Sequence, residues 1–314
     1  MSPLESPRIV GRSPALLAAI DLARRIAPTD IPTLIVGETG TGKELLAQLI
    51  HAESERSGSL VDVDCGAIPE GLIESVLFGH RRGAFTGAVT ESRGLIAESA
   101  DGTLLLDELS SLPAWAQPKL LRALETGAVR RVGDARSRRV RFRIVATAQH
   151  SIGELVRKGR FRGDLVQRVA GIVIRLPSLR DRLGDVPLLA EHFARERGVA
   201  MTSDCGEFLS TQDWPGNVRQ LQWMITRAAF LCSAGTIDGA ALRAAAETGL
   251  QPLVAAEPSG LADGISELRA LCRECMGDPD EIALAMGIGR STLYRKLREA
   301  GLTLRRFRRP SVAS

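Results

Sequence analysis

Thr33-Leu34-Ile35-Val36-Gly37-Glu38-Thr39-Gly40-Thr41-Gly42-Lys43-Glu44 is the stretch that sets the fold. A short apolar run ends on glycine, and a helical pattern follows from Lys43 to Ala52. Glycines let the intervening backbone curl so that its amides point inward at phosphate oxygens. The helix N-terminus adds the positive end of its dipole, and Lys43 is positioned to reach β- and γ-phosphates. Gly37, Glu38, Thr39, Gly40, Thr41, Gly42, Lys43 and Glu44 are therefore the candidate nucleotide-binding residues. The strict pattern has Ser or Thr after the lysine to hold magnesium; Glu44 departs from it.

A second stretch completes the site. Gly102-Thr103-Leu104-Leu105-Leu106-Asp107-Glu108 reads as a buried strand ending in two acids. Carboxylates at such a position are costly unless they serve a cation or a reaction. Asp107 is suited to orienting Mg2+ through water, and Glu108 to polarising the water that attacks a γ-phosphate. With Lys43 they form the candidate catalytic set, with ATP and Mg2+ as the implied cofactors.

Leu60 to Val63, Phe142 to Ala146 and the region of Ile172 to Ile174 supply further buried-strand candidates. Strands separated by helices imply an α/β fold with a parallel sheet covered on both faces. The expected boundaries are an α/β ATPase subdomain over residues 1–177, a helical subdomain over 178–247, a Pro/Gly/Ala-rich linker over 248–263 and a further helical domain over 264–314. Hydrophobic residues make up 44% and aromatics 4%, so aliphatic side chains build most of the core. The five cysteines are odd in number, and no secretory signal or membrane-spanning run is evident. A reducing cytoplasm and no membrane association are the expectation. Cys272 and Cys275 have no second pair at zinc spacing and fit helix packing better than metal binding.

Net charge is only +4, but between Arg290 and Pro310 eight basic residues face one acid, Glu299. Asp280 to Met286 reads as a short helix, Gly287-Ile288-Gly289 as a tight turn, and Arg290 to Ala300 as a second helix. Ala283, Ile288 and Leu293 are spaced to pack the two together. Arg290, Ser291, Thr292, Tyr294, Arg295 and Arg298 remain for phosphates and base edges, the pattern of a helix-turn-helix that binds DNA.

From Ile9 to Leu302 the chain resembles the AAA+ bacterial enhancer-binding proteins, the NtrC-like activators of the sigma-54 form of RNA polymerase. The most specific element is Gly83-Ala84-Phe85-Thr86-Gly87-Ala88, preceded by Leu77-Phe78-Gly79-His80. In the family this hexapeptide tips the loop that touches sigma-54; here it is a small-residue loop with one aromatic. The family also carries glutamate after the lysine, which accounts for Glu44. Phe161-Arg162-Gly163-Asp164-Leu165-Val166-Gln167-Arg168 resembles the segment whose arginines, Arg162 and Arg168 by position, enter the neighbouring subunit's site as arginine fingers. Trp214-Pro215-Gly216-Asn217-Val218-Arg219 resembles the lid motif, with Arg219 sensing bound nucleotide. Ser291-Thr292-Leu293-Tyr294-Arg295-Lys296-Leu297 resembles the family's Fis-like C-terminal domain, and Ile265, Leu268, Leu271 and Cys272 mark a preceding helix suited to dimerisation.

The resemblance implies a P-loop AAA+ sheet with a helical lid and an all-α DNA-binding domain. It implies self-association as a dimer and a hexamer-like ring, with sigma-54 RNA polymerase and upstream DNA as partners. About eight residues precede Ile9, so no receiver domain is expected, and control falls to a regulatory protein or a related co-activator subunit. Departures from the family motivate a second reading. Asp64 stands where the family has an asparagine that restrains the catalytic glutamate, Arg81 where glutamate is usual, and Ala146-Thr147-Ala148-Gln149 where Ala-Ala-Thr-Asn is common. An aspartate accepts but does not donate hydrogen bonds. Thr147 or Gln149 becomes the polar sensor, or the chain serves as a DNA-binding partner subunit with weak ATPase activity in a mixed ring. An AAA+ chaperone or replication factor is disfavoured by the hexapeptide loop and the helix-turn-helix.

Overall fold

Apolar residues alternate between the two faces of one central sheet, and two separate cores form as a result. In the computed structural model, residues 7–149, 152–232 and 235–248 are described, with 278, 279, 282 and 297 beyond them. Contacts divide the chain into two units, ending and beginning at Ala246 and Glu247. In the second unit, Ile282 donates its amide to the Asp278 carbonyl at 3.2 Å, and Ile282 and Leu297 are buried. The expected linker, the helix-turn-helix residues Arg290, Ser291, Thr292, Tyr294, Arg295 and Arg298, and Cys272 and Cys275 lie outside the described residues.

The first unit runs α1 (Pro14–Ile26), β1 (Thr33–Val36), α2 (Lys43–Ala52), β2 (Leu60–Asp64), α3 (Ile73–Phe78), α4 (Leu95–Glu98), β3 (Thr103–Asp107), α5 (Gln117–Thr126), β4 (Ala128–Val129), β5 (Arg138–Arg139), β6 (Arg143–Ala148), α6 (Ile152–Arg157), α7 (Gly163–Val169) and β7 (Ile172–Arg175). The lid adds α8 (Val186–Glu196), β8 (Ala200–Met201), α9 (Cys205–Ser210), α10 (Asn217–Leu231), β9 (Thr236–Ile237) and α11 (Gly239–Glu247). Five parallel strands lie in the order β2-β3-β6-β1-β7. Each strand read from the sequence is present, with β6 beginning at Arg143 and extending to Ala148, two residues beyond the apolar run. That extension carries Thr147 into the site.

Ile35, Leu105, Val145 and Ile174 face α1 and α2, while Leu34, Leu104, Leu106, Ile144 and Ala146 face the helices on the other side. A parallel sheet buried on both faces requires this near-continuous aliphatic content. Arg143 is buried at the foot of β6, where its guanidinium donates to the carbonyls of Ala27 at 2.7 Å and Ile26 at 3.1 Å. It thereby closes the C-terminal end of α1, whose last carbonyls lack helical partners. The lid has its own core around Trp214, whose indole is fully buried and donates to the Leu209 carbonyl at 3.2 Å. Beside its helices it contains a two-residue parallel pair, β8 with β9, which the helical reading of this region did not include.

Candidate nucleotide site

The loop between β1 and α2 owes its path to glycine. Gly40 has φ +78° and Gly42 φ +100°, a region that glycine occupies without the Cβ clash other residues meet. A Cβ on Gly40 would lie 2.4 Å from the Gly216 carbonyl oxygen, so only glycine lets the lid approach here. Lys43 is the first residue of α2; its Nζ is buried and donates to the carbonyls of Gly37 at 3.0 Å and Glu38 at 3.1 Å. Burial holds its ammonium below the usual lysine value, opposed by Glu108 and Asp107 and reinforced by Arg219. Thr41 is buried and donates to the Glu38 carbonyl at 2.8 Å, while Glu44 is exposed on the first turn.

The strand order sets the ends of β3 and β6 beside this loop. Thr147 is fully buried; its hydroxyl donates to Asp107 Oδ1 and accepts the Glu108 amide at 3.1 Å. Gln149 Nε2 donates to Glu108 Oε1 at 3.2 Å and to Thr39 Oγ1 at 3.1 Å. Both sensor candidates are therefore in contact with the acids, one holding Asp107 and one joining Glu108 to the phosphate loop. Glu108 sits at φ +52°, an uncommon backbone position for a residue with a side chain. Asp64 ends β2 opposite Asp107, but its Oδ1 accepts the amides of Gly66 at 2.8 Å and Ala67 at 3.2 Å. It caps its own turn and makes no hydrogen bond to Glu108. No group of three or more His, Cys, Asp or Glu side chains among the described residues is placed to hold a metal. Asp107 alone, with phosphates and water, still suits Mg2+, which keeps several waters and takes one or two carboxylates.

The lid closes onto the loop through Asn217 of the quoted lid motif and through Arg180, Arg182 and Asp185, which the sequence did not single out. Asn217 has φ +53° and is fully buried. Its Oδ1 accepts the Leu179 amide at 2.7 Å, and its Nδ2 donates to Glu38 Oε2 at 3.1 Å and the Thr39 carbonyl at 3.0 Å. Arg180 forms a two-pronged ion pair with Glu38. Arg182 Nη2 donates to the Thr41 carbonyl at 3.1 Å and its Nη1 lies 3.9 Å from Asp185 Oδ2, with both side chains buried. Asp185 Oδ1 in turn accepts the amides of Arg12 at 2.6 Å and Ser13 at 3.0 Å. Arg219 is exposed, with its backbone amide 3.3 Å from the Gly40 carbonyl. An apolar cavity beside Thr41 and Gly42, lined by Ile9, Val10, Leu189, Phe193 and Val218, has the lining expected around a flat ring.

Arg162 and Arg168 are not part of this cluster. Arg162 precedes α7 and pairs with Asp164 at 2.7 Å, while Arg168 donates to the Leu124 carbonyl at 3.0 Å. Both are exposed, and neither shares a hydrogen bond or ion pair with the phosphate loop. The hexapeptide Gly83 to Ala88 is also remote, and its backbone turns on Gly83 at φ +78° and Gly87 at φ +101°. Its base is held where His80 pairs with Ser92 and Val132. Phe85 is 39% exposed and rests edge-on against His80, ring centres 5.0 Å apart. Ala84 and Thr86 flank it, and Ala88 is buried.

Comparison with known proteins converges with this geometry. Residues 9–175 match the sigma-54 interaction domain and residues 180–256 the AAA+ ATPase lid domain. The chain is 43% identical over 238 residues to nitric oxide reductase transcription regulator NorR1 of Cupriavidus necator, covering 73% of this chain and 46% of that protein. It is 38% identical over 300 residues to transcriptional regulatory protein GlrR of Escherichia coli, covering 92% of this chain and 67% of that protein. It thus spans about half to two thirds of the length of these relatives. The crystal structure of NtrX from Brucella abortus in complex with ADP superposes with a TM-score of 0.70 at 29% identity, covering 95% of this chain and 70% of that one. RuvB of Thermotoga maritima, at 16% identity and a TM-score of 0.54, shares the fold. The chain carries an AAA+ ATPase domain and belongs to the family of sigma-54-dependent regulators defined by the sigma-54 interaction domain.

Proposed function

We propose that this chain activates transcription by sigma-54 RNA polymerase, using ATP hydrolysis in a ring of subunits to remodel the polymerase at a promoter. The observation that carries the reading is the union, in one domain, of a nucleotide cleft wired through Gln149 and Asn217 with a glycine-hinged loop presenting Phe85. Lys43 leaves the carbonyls of Gly37 and Glu38 for the β- and γ-phosphates, and the amides of Gly37 to Gly42 cradle them. Glu108 orients the attacking water and takes its proton as general base. Asp107 would hold Mg2+, which when bound neutralises charge on the phosphates. Arg162 and Arg168, exposed and remote from their own cleft, act on a neighbour's nucleotide. Lid residues Asn217 and Arg219 sense the nucleotide through Glu38, Thr39 and Gly40. The segment 264–314 binds upstream DNA as a helix-turn-helix dimer through Arg290, Ser291, Thr292, Tyr294, Arg295 and Arg298.

A phosphate-release assay run beside purified sigma-54 transcription tests this. Phe85→Ala is expected to keep hydrolysis near normal and to lose promoter opening. Normal opening by that variant overturns the loop's role, and joint loss of both activities makes Phe85 a folding residue. A second reading, a DNA-binding subunit of a mixed ring with weak turnover of its own, is favoured by Asp64 capping its own turn instead of reaching Glu108. Turnover of the chain alone and with related subunits separates the two.

A further inference from the structure

The segment from Arg130 to Arg143 contains seven arginines and a single acid, Asp134. Three of the arginines have structural partners. Arg143 caps α1, Arg141 pairs with Asp30 at 3.1 Å, and Arg131 pairs with Asp134 at 2.9 Å and Glu91 at 3.3 Å. Arg130, Arg136, Arg138 and Arg139 are exposed and have no ion pair among the described residues. The β4–β5 pairing sets Val129 against Arg138 and Ala128 against Arg139, so these charges stand on a short fixed hairpin. A Cβ on Gly133 would come 2.9 Å from that of Ala84, which puts the hairpin against the Phe85 loop, where Arg82 is also exposed. At its side opens a cleft of about 390 Å³ lined by Arg122 and Arg130, and by Lys119 and Arg131 with their acidic partners Glu74 and Asp134.

Holding like charges together in a folded surface costs free energy that a polyanion returns. We infer that this arginine hairpin is a second nucleic-acid surface, which takes the phosphate backbone of duplex DNA without reading its sequence. An acidic protein partner fits less well, because Arg130 to Arg139 exposes no large apolar side chain to anchor a desolvated contact. Phosphate contacts need only the charges and their spacing. The surface belongs to the ATPase unit, in a stretch of sequence distinct from the basic run between Arg290 and Pro310.

The test uses the full chain and a 20-base-pair duplex of arbitrary sequence, with binding followed by fluorescence anisotropy across a salt titration. Replacing Arg136, Arg138 and Arg139 together by alanine is expected to lower the slope of log affinity against log salt by about 2–3, at about 0.9 per phosphate contact. Phosphate release, which reports separately on the nucleotide site, should be unchanged. In a chain carrying Arg295→Ala and Arg298→Ala, residual duplex binding should remain and be removed by the hairpin substitutions. The triple lysine variant should restore the slope, since phosphates accept a point charge. An unchanged slope in the alanine variant, or no recovery with lysine, overturns the proposal. So does retained DNA affinity combined with lost binding to purified sigma-54, which would make the occupant a protein.

Discussion

Gln149 donates one amide nitrogen to both Glu108 Oε1, at 3.2 Å, and Thr39 Oγ1, at 3.1 Å. Glu108, the proposed general base, is thereby tied to the loop proposed to wrap the phosphates. Gln149→Leu, close in size but without donors, should cut kcat about tenfold, or roughly 1.4 kcal/mol in barrier. KM should change little, because the phosphate loop itself remains. Steady-state phosphate release checks this; a raised KM with intact kcat would assign Gln149 to binding instead.

Thr147→Val tests the hydroxyl between Asp107 and the Glu108 amide. Valine matches the shape but leaves two half-buried polar groups, the Asp107 carboxylate and the Glu108 amide, without this partner, at about 1 kcal/mol of stability. Glu108 holds an unfavourable φ of +52°, so its position should also loosen and turnover fall. Urea unfolding and phosphate release report the two effects. Stability within a few tenths of a kcal/mol of the parent would show that the hydroxyl contributes nothing.

Asn217→Ala removes three hydrogen bonds at once, to Leu179, Glu38 and Thr39, and leaves a left-handed φ without a stabilising side chain. Unfolding free energy should drop by about 2–4 kcal/mol. Nucleotide affinity should weaken with it, since the lid loses its grip on the loop. If affinity, measured by titration of a fluorescent ATP analogue, is unchanged, the lid contact is structural only.

His51 gives the acid limb of stability a specific origin. Its ring is buried with Nδ1 2.9 Å from Thr103 Oγ1, and burial, then Arg56 and Arg143, hold its pKa below the ordinary 6.5. The unfolded chain therefore binds a proton more readily than the folded one, and stability falls as pH drops below about 6.5. Above that value both forms are neutral and the term vanishes. His51→Gln, able to keep the Thr103 contact, should flatten the fall in Tm between pH 7.5 and pH 5.5. An equally steep fall in the variant would place the acid sensitivity elsewhere.

Arg162→Ala and Arg168→Ala should each lower turnover at least tenfold, more than about 1.4 kcal/mol. Mixing either with Lys43→Ala should recover part of the activity, because some interfaces then join an intact loop to intact fingers. No recovery in mixtures shown to co-assemble would count against action between subunits.

Local sequence determined the parts of this protein that depend on local physics. Gly40 and Gly42 at positive φ, with Lys43 opening a helix, produce a tightly curled strand-to-helix turn of the kind that suits phosphate. An aliphatic run ending in Asp107 and Glu108 dictates a buried strand with acids at its edge. Pairing across the sheet is not local: that β3 lies between β2 and β6, and that Thr147 therefore meets Asp107, follows only from how two cores close around one sheet. The sequence offered Thr147 and Gln149 as competing sensors, and the fold uses both, because alternate residues on either side of Ala148 each reach one acid. It read Asp64 as an altered partner for Glu108; tertiary structure turned that carboxylate onto Gly66 and Ala67 instead. Asn217 stood inside the lid motif with no role of its own, and Arg180 carried no distinct signal, since an arginine among arginines is ordinary. Their roles arise because the lid and the loop, far apart in the chain, bury polar groups against each other, and those groups have to find partners there.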